Sequence, residues 1–156
     1  MDEEVYRRNV ALVYQVCYLY LKNPADAEDA VQTVFLKYLK AHVNFQDGGR
    51  ERAWLVTTAK NCCRDLLKSR WHRQRVPIES LPEPIAESAD DRIRSLMELL
   101  FSLPEKHRVV MYLYYIEGYS IRELAAILNR KESTIRSQLL RGRAKLKQDL
   151  GGDFFE

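Results

Sequence analysis

The sequence predicts an all-α protein built from two small helical domains joined by a flexible linker. Apolar residues recur at intervals of three and four positions on both sides of one break in the pattern, as in amphipathic helices. The break spans residues 76–91 and contains three prolines and five acidic residues without a cation, which favours a linker. The 156 residues, 46% of them hydrophobic, are enough for two small cores. We therefore expect domains over residues 1–75 and 92–150.

Composition excludes several classes of protein. No apolar run approaches the ~20 residues that a membrane-spanning helix needs. The N-terminus is acidic where a secretory signal is basic, so we expect a cytoplasmic protein. The adjacent Cys62 and Cys63 point to different helix faces and do not suit a disulfide, and Cys17 and Cys62 fit core positions. The three histidines lack the spacing of metal ligands, so we expect no metal site and no cofactor.

Two helices are predicted before residue 43. The first covers residues 3–22, and the second begins with Asn23 as N-cap and Pro24 at its first position. The second helix, to about residue 42, has an apolar stripe that we expect to be buried: Ala27, Ala30, Val31, Val34, Phe35, Tyr38 and Leu39. A different stripe of the same helix consists of Asp29, Gln32, Thr33 and Leu36. Three polar residues with one large apolar residue fit a partner surface and a solvated face equally well.

A third helix is predicted to start near Arg50, after the loop 44–49. Residues 50–75 hold eight cations and two anions, a net charge of +6 in a chain whose total is only +3. The apolar stripe comprises Trp54, Leu55, Thr58, Ala59, Cys62 and Leu66. The opposite face carries Asn61, Arg64, Asp65 and Lys68. This basic surface is suited to nucleic acid.

The C-terminal part contains a helix-turn-helix pattern over residues 118–146. Ser120 is expected to cap a helix of about two turns, with Glu123 completing a capping box. After the polar run 129–132, Ser133 or Thr134 is expected to cap a second helix that buries Ile135, Leu139, Ala144 and Leu146. Its expected outward residues are Thr134, Arg136, Ser137, Gln138, Arg141 and Arg143. Such a helix enters the major groove of DNA.

Charge supports DNA binding over a merely solvated helix. Residues 130–147 hold seven cations and one anion, again a net charge of +6. Charge concentrated in this way neutralises several phosphates along one surface and releases their counterions.

Three segments in this order resemble bacterial sigma factors of the extracytoplasmic-function group, which contain only sigma regions two and four. They are DAEDAVQTVFLKYLKA over 26–41, RAWLVTTAKNCCRDLLKSR over 52–70 and LPEKHRVVMYLYYIEGYSIRELAAIL over 103–128. The resemblance implies that residues 1–75 form region two, a helical bundle, and residues 92–150 form region four. It also implies core RNA polymerase and promoter DNA as partners, an anti-sigma factor as a further partner, and no small-molecule substrate.

The resemblance also assigns roles to residues. It implies that Asp29, Gln32, Thr33 and Leu36 face the clamp helices of the largest polymerase subunit, while region four meets the polymerase flap. Asn61, Arg64, Asp65 and Lys68 are implied to read the −10 element, with the loop 44–51 capturing a flipped base. Arg136, Ser137 and Gln138 are implied to be the groove-facing triplet that reads the −35 element. From their outward or basic positions beside this triplet, we expect Lys131, Thr134, Arg141 and Arg143 to contact the same element.

Five residues depart from the family pattern. Thr33 stands where the family usually has an acidic residue, and Gln138 stands where it has arginine. In the turn, Asn129 replaces glycine, Arg130 replaces an apolar residue and Lys131 replaces a capping serine. We expect the turn to form, because Asn tolerates the left-handed conformation, and Gln138 to pair with adenine.

Two other functions fit parts of the pattern. A stand-alone helix-turn-helix regulator would bind promoter DNA tightly without polymerase. A recombinase-like enzyme would need a nucleophile with an activating base, and Ser69, Ser133 and Ser137 have no partner at an identifying spacing. We therefore expect no catalytic residue.

Overall fold

The computed structural model describes residues 2–73 and 91–150, and all the regular structure in these two stretches is helical. The helices are α1 (Asp2–Leu21), α2 (Pro24–Ala41), α3 (Gly48–Arg73), α4 (Asp91–Phe101), α5 (Glu105–Tyr115), α6 (Ile121–Leu128) and α7 (Glu132–Leu150). They form two compact units, one with α1 to α3 and one with α4 to α7. The all-α prediction is therefore confirmed. The predicted linker over 76–91 lies outside the described residues, except for Asp91, which begins α4.

The connection between α1 and α2 follows the predicted capping pattern. Asn23 is the N-cap of α2, and its side chain accepts a hydrogen bond of 3.1 Å from the backbone N–H of Asp26. Pro24 occupies the first helical position, where its missing N–H costs no helical hydrogen bond. The helix ends at His42, whose φ of 52° and ψ of 32° place it in the left-handed region.

The first unit is a three-helix bundle in which each helix packs against the other two. Its core includes Val16 and Cys17 from α1, Val34 from α2, and Leu55 and Cys63 from α3. The predicted burial of Cys17 and Cys62 is confirmed, and all three cysteines are free thiols.

The prediction that Leu39 is buried is wrong, because this side chain is 42% exposed. Leu39 lies about 100° around the helix axis from the buried Tyr38 and belongs to the last turn of α2. Its side chain therefore stands at the edge of the apolar stripe. The other six residues predicted on this stripe are buried.

The helix α3 begins two residues earlier than predicted. Asp47 precedes it, and its Oδ1 accepts a hydrogen bond of 2.9 Å from the backbone N–H of Gly49. The Asp47 carbonyl accepts the first helical hydrogen bond, from the N–H of Glu51 at 3.1 Å. A carboxylate at this position satisfies N–H groups that have no partner within the helix, so the chain becomes helical at Gly48.

The second unit is organised around α5, which packs against α4, α6 and α7. Leu113 of α5, Leu124 and Leu128 of α6, and Ile135 of α7 are almost fully buried. The guanidinium of Arg108, although buried, donates hydrogen bonds of 3.2 and 3.0 Å from Nε and Nη2 to the Leu103 carbonyl. This contact ties α5 to the chain that follows α4.

Candidate nucleic-acid interface

The first helix of the helix-turn-helix, α6, starts with the predicted capping box. The Ser120 hydroxyl accepts a hydrogen bond of 3.1 Å from the Glu123 N–H, and the Glu123 carboxylate accepts one of 2.9 Å from the Ser120 N–H. Both backbone donors at this end are thereby satisfied by side chains.

The turn after α6 is a Schellman motif centred on Asn129. Asn129 has φ 55° and ψ 53°, so the predicted left-handed conformation is confirmed. The Arg130 N–H donates to the Ala125 carbonyl at 3.0 Å, and the Asn129 N–H donates to the Ala126 carbonyl at 3.4 Å. This pair of hydrogen bonds defines the motif and turns the chain toward α7.

The prediction that Ser133 or Thr134 caps α7 is wrong. The helix begins at Glu132, and the Ile135 N–H donates to the Lys131 carbonyl at 3.0 Å. Ser133 and Thr134 therefore lie inside the first turn, and Lys131 holds the capping position. The compact turn causes this shift, because the chain is helical again three residues after Asn129. The ammonium group of lysine has no acceptor, so the Lys131 side chain leaves the first N–H groups of α7 uncapped.

The buried face of α7 contains Ile135, Leu139, Gly142 and Leu146. The predicted burial of Ala144 is wrong, since Ala144 is exposed. Ala144 lies two residues, or about 200°, from Gly142, and so it points away from α5. Gly142 occupies the inward position instead, where an added Cβ would lie 2.9 Å from Met111 Cγ and Sδ.

Four of the six residues predicted to point outward from α7 are exposed: Thr134, Arg136, Ser137 and Arg141. Arg143 is half-buried, and its Nη1 donates a hydrogen bond of 2.9 Å to the Tyr115 hydroxyl. Gln138 contradicts the prediction, because it is only 8% exposed. Gln138 lies three residues after the buried Ile135, within the same helical stripe. This spacing was the signal in the sequence that Gln138 is buried.

The predicted contact residues of α7 other than Gln138 lie on two sides of the helix. Thr134, Ser137 and Arg141 follow the spacing of three and four that keeps residues on one side of a helix. Arg136 and Arg143 lie on another side, and Arg136 approaches Glu132 at 3.8 Å in an exposed ion pair. An exposed pair of this kind contributes little to stability, so Arg136 remains available to phosphate.

The cations of the turn and of α7, Arg130 and Arg141, lie near Lys106 and His107 at the start of α5. Burial lowers the pKa of His107, and the nearby charges of Lys106, Arg141 and Arg130 lower it further. The lowered pKa favours the neutral form of this imidazole. The fixed positive charge of this surface comes from lysine and arginine alone.

The predicted outward face of α3 is exposed. Asn61, Arg64, Asp65 and Lys68 all point to solvent at helical spacings. On the other side, Trp54 is half-buried, with its ring centroid 5.7 Å from that of Tyr38 and 6.4 Å from that of Phe45. Trp54 therefore packs between α2 and the loop before α3.

The stripe of Asp29, Gln32, Thr33 and Leu36 is also exposed along α2. Leu36 is 56% exposed, and Leu39, three positions further along the helix, is 42% exposed. The Thr33 hydroxyl donates a hydrogen bond of 3.1 Å to the Asp29 carbonyl, so its side chain turns back along the helix.

Within the described ranges, no group of three or more His, Cys, Asp or Glu side chains is arranged to hold a metal ion. In the same ranges, none of the helices has both the length and the apolar character required to cross a membrane.

A helix-turn-helix with a cationic second helix, in a chain whose other helical unit has a basic face of its own, defines a DNA-binding protein. Residues 5–73 match the model of the family "Sigma-70 region 2", and residues 93–146 match that of "Sigma-70, region 4". The chain therefore belongs to the sigma-70 family, in its extracytoplasmic-function group, and the predicted resemblance is confirmed.

Curated relatives match over most of the chain. The extracytoplasmic-function sigma factor SigE of Mycolicibacterium smegmatis is 32% identical over 95% of this chain, which spans 61% of that relative's length. The sigma factor CarQ of Myxococcus xanthus is 29% identical, with 96% of this chain and 88% of CarQ covered. SigW of Bacillus subtilis is 28% identical, with 88% and 82% covered.

Two solved structures are similar in fold. The sigma factor RpoE of Bartonella quintana, solved with the anti-sigma factor NepR, gives a TM-score of 0.81 at 23% identity and 97% coverage of both chains. CnrH, solved with the cytosolic domain of CnrY, gives a TM-score of 0.66 at 26% identity, covering 97% of this chain and 88% of CnrH.

Proposed function

We propose that this protein is an alternative sigma factor, a dissociable subunit that binds core RNA polymerase and directs initiation at selected promoters. The observation that carries the proposal is the presence of two exposed basic surfaces, on α3 and on α7, in units that belong to regions 2 and 4 of one family. A single DNA-reading module needs only one such surface. Two of them suit a promoter with two separated elements.

The polymerase-binding surface is the exposed stripe of α2. Asp29 and Gln32 offer polar contacts to the clamp helices of the largest subunit, and Leu36 adds apolar area. Leu39, three positions further along α2, is exposed as well, so the two leucines form a small apolar patch on this helix, which supports a protein partner over bulk solvent. Thr33 belongs to the stripe, but its hydroxyl is engaged with the Asp29 carbonyl, which makes it the weakest contributor. Region 4 meets the polymerase flap.

The −10 element binds to α3 and the loop before it. Arg64 and Lys68 supply cations for the phosphates, while Asn61 and Asp65 supply groups that hydrogen-bond to bases. Residues 44–51, which comprise the loop before α3 and the first turn of that helix, capture a base extruded from the non-template strand. Extruding a base costs a few kcal/mol, so a pocket that prefers one base makes strand opening depend on sequence.

The −35 element binds to α7. Thr134, Ser137 and Arg141 share one exposed stripe that can follow the major groove. Lys131 precedes the first turn of α7, and Arg136 and Arg143 lie on a different side of the helix from this stripe. These three cations contact phosphates, and the N-terminus of α7 adds its own attraction for phosphate. No step of this function requires covalent chemistry by the protein, so we propose no catalytic residue.

An anti-sigma factor is a further proposed partner. CnrH, whose fold is similar, was solved with a cytosolic protein domain, CnrY, bound to it. The proposed site of action is the cytoplasm, where the chromosome and polymerase are found. A membrane-bound inhibitor would hold the protein at the membrane surface.

Runoff transcription with core polymerase tests the proposal. We expect specific start sites on genomic DNA only when this protein is added. Changing Asp29 and Gln32 to Ala should reduce polymerase affinity without unfolding the chain, whereas Lys40→Ala, an exposed change at the end of α2, should not. Nanomolar, sequence-specific DNA binding without polymerase would instead favour a stand-alone regulator.

A further inference from the structure

Arg130, in the turn of the helix-turn-helix, is bonded to Gln138 on α7. Its Nη1 donates a hydrogen bond of 2.8 Å to Gln138 Oε1 and a longer one of 3.4 Å to the Lys106 carbonyl at the start of α5. A guanidinium has donors and no acceptor, so the amide atom that faces it must be the oxygen. Arg130 thus joins the turn to α7, through Gln138, and to α5, through Lys106.

The contact changes what Gln138 can do. A glutamine that reads adenine uses its oxygen and its nitrogen together, so both must reach the base edge. Here the oxygen is engaged by Arg130, and the whole residue is only 8% exposed, beside the fully buried Ile135. In this conformation Gln138 cannot present its amide to the major groove.

The position of Arg130 explains why it reaches Gln138. In a Schellman motif the residue after the left-handed position usually makes an apolar contact back to the preceding helix. Arg130 occupies this position and carries a long polar side chain. The hydrogen bonds to Gln138 and Lys106 take the place of the apolar contact.

We infer that Arg130 is a positioning residue that holds Gln138 out of the major groove, so that Thr134, Ser137 and Arg141 alone read the −35 element. The inference rests on the proposed function for its DNA target. The contact between Arg130 and Gln138 exists independently of that target and can be tested without DNA.

The experiment uses the full chain assembled with core polymerase and a promoter library with a randomised −35 element. Transcripts are sequenced to give the base preference at each position for the native protein, Gln138→Ala, Arg130→Leu and the double variant. We expect Gln138→Ala to leave every preference within about twofold. Arg130→Leu should release Gln138 and add an adenine preference of about fivefold or more at one position, as a bidentate pair provides. The double variant should lose this new preference.

Gln138→Glu is a matched control, because it keeps the contact with Arg130 but removes the amide donor of the side chain. Gln138→Glu still offers an oxygen to Arg130 but can no longer donate to a base, so the base preferences should stay as in the native protein. If Gln138→Ala or Gln138→Glu altered the preference at a single position, Gln138 would be a base reader and the inference would be overturned. It would also be overturned if Arg130→Leu, checked for native helicity by circular dichroism, gained no preference that depends on Gln138.

The free protein supplies the second measurement. Thermal unfolding of Arg130→Leu, Gln138→Ala and the double variant should give non-additive effects, because the two side chains interact directly. Additive effects would overturn the inference without involving polymerase. The proposed function is judged separately, by whether the native holoenzyme selects any −35 sequence from the library.

Discussion

Glu51, at the start of α3, accepts two hydrogen bonds of 3.0 and 2.9 Å from the guanidinium of Arg8 on α1. The amide of Asn9 donates a third, of 2.6 Å, to the same carboxylate, which is only 3% exposed. These residues are 42 and 43 positions apart in the sequence, and their contacts join α1 to the first turn of α3, next to the loop 44–47. The pair therefore fixes the helix end beside the proposed base-capturing loop.

The first prediction concerns the stability that Arg8 provides. Arg8→Met keeps the aliphatic stem but leaves a buried carboxylate with Asn9 as its remaining side-chain partner in this network. Leaving a buried charged acceptor under-satisfied costs about 1–3 kcal/mol. The Arg8 side chain is itself 53% exposed, so solvent screens the pair and we expect only part of that cost in urea unfolding.

Arg7 provides a matched control. It forms an ion pair with Glu3 one turn earlier at 2.7 Å, but both side chains are 76% exposed. Exposed pairs at this spacing contribute about 0.3–0.5 kcal/mol, so Arg7→Met should have a much smaller effect than Arg8→Met. Equal losses in the two variants would mean that the buried network does not stabilise the protein.

The second prediction concerns pH. The hydrogen bonds from Arg8 lower the pKa of Glu51, although burial opposes them, and the hydrogen bond from Asn9 also lowers it. A carboxyl whose pKa is lower in the folded state stabilises the fold above its unfolded pKa, and this stabilisation is lost as the pH falls through the folded pKa.

The stability difference between the native protein and Glu51→Gln should therefore be constant near neutral pH. It should shrink as the pH drops below the ordinary range of a glutamate. Urea unfolding at a series of pH values measures this difference. A difference that grew toward acid pH would contradict the lowered pKa.

The local sequence pattern was sufficient to predict most of the helices and their buried faces. The Asn23-Pro24 pair and the capping box of Ser120 and Glu123 predicted two helix starts correctly, because both depend on residues within four positions. The two errors about apolar burial have different causes. Leu39 lies at the edge of its apolar stripe, where the reach of the neighbouring helix, which the spacing does not reveal, decides whether a residue is covered. Ala144 lies on the side of α7 opposite Gly142, so its exposure follows from the helical spacing itself.

The polar contacts of the interior were missed for a different reason. Glu51 lies on the same helical stripe as Leu55 and Cys62, so a buried carboxylate was foreseeable, but its partners come from another helix. The burial of Gln138 was signalled by its spacing of three from Ile135, whereas its bond to Arg130 depends on turn geometry that exists only in the folded chain. The roles of the exposed residues in binding polymerase and promoter DNA stay predictions.

The third prediction concerns Gly142 on the buried side of α7. Replacing glycine by alanine within a helix usually stabilises it by about 1 kcal/mol. Here the new methyl group would lie 2.9 Å from Met111 Cγ and Sδ, and Met111 is only 2% exposed. Overpacking a core in this way costs about 1–3 kcal/mol, so Gly142→Ala should be neutral to destabilising by about 2 kcal/mol in thermal unfolding.

Gly49→Ala is the control for Gly142→Ala. At Gly49 the nearest atom to an added Cβ is an oxygen of the Asp47 side chain at 3.4 Å, an ordinary contact. This variant should therefore not lower the unfolding temperature. If Gly142→Ala stabilised the protein as much as an unhindered helical alanine, close packing of α5 on α7 would not explain why glycine occupies position 142.

The fourth prediction separates capping from charge at Lys131. Lys131→Ser would place a hydroxyl acceptor at the N-cap of α7, which stabilises a helix by about 0.5–2 kcal/mol. The same change removes a cation proposed to contact phosphate, so promoter binding by the holoenzyme should weaken and its salt slope should fall by about one. Lys147→Ser is the control, because it removes one charge from an exposed site distant from the turn. It should not raise the stability of the protein, and it should change the salt slope less than Lys131→Ser does.

Unfolding of the free chain measures the effect of Lys131→Ser on stability, and salt titration of promoter binding measures its effect on DNA contacts. A rise in stability with an unchanged salt slope would remove Lys131 from the DNA contacts, whereas a fall in stability would show that the turn does not place residue 131 at the cap.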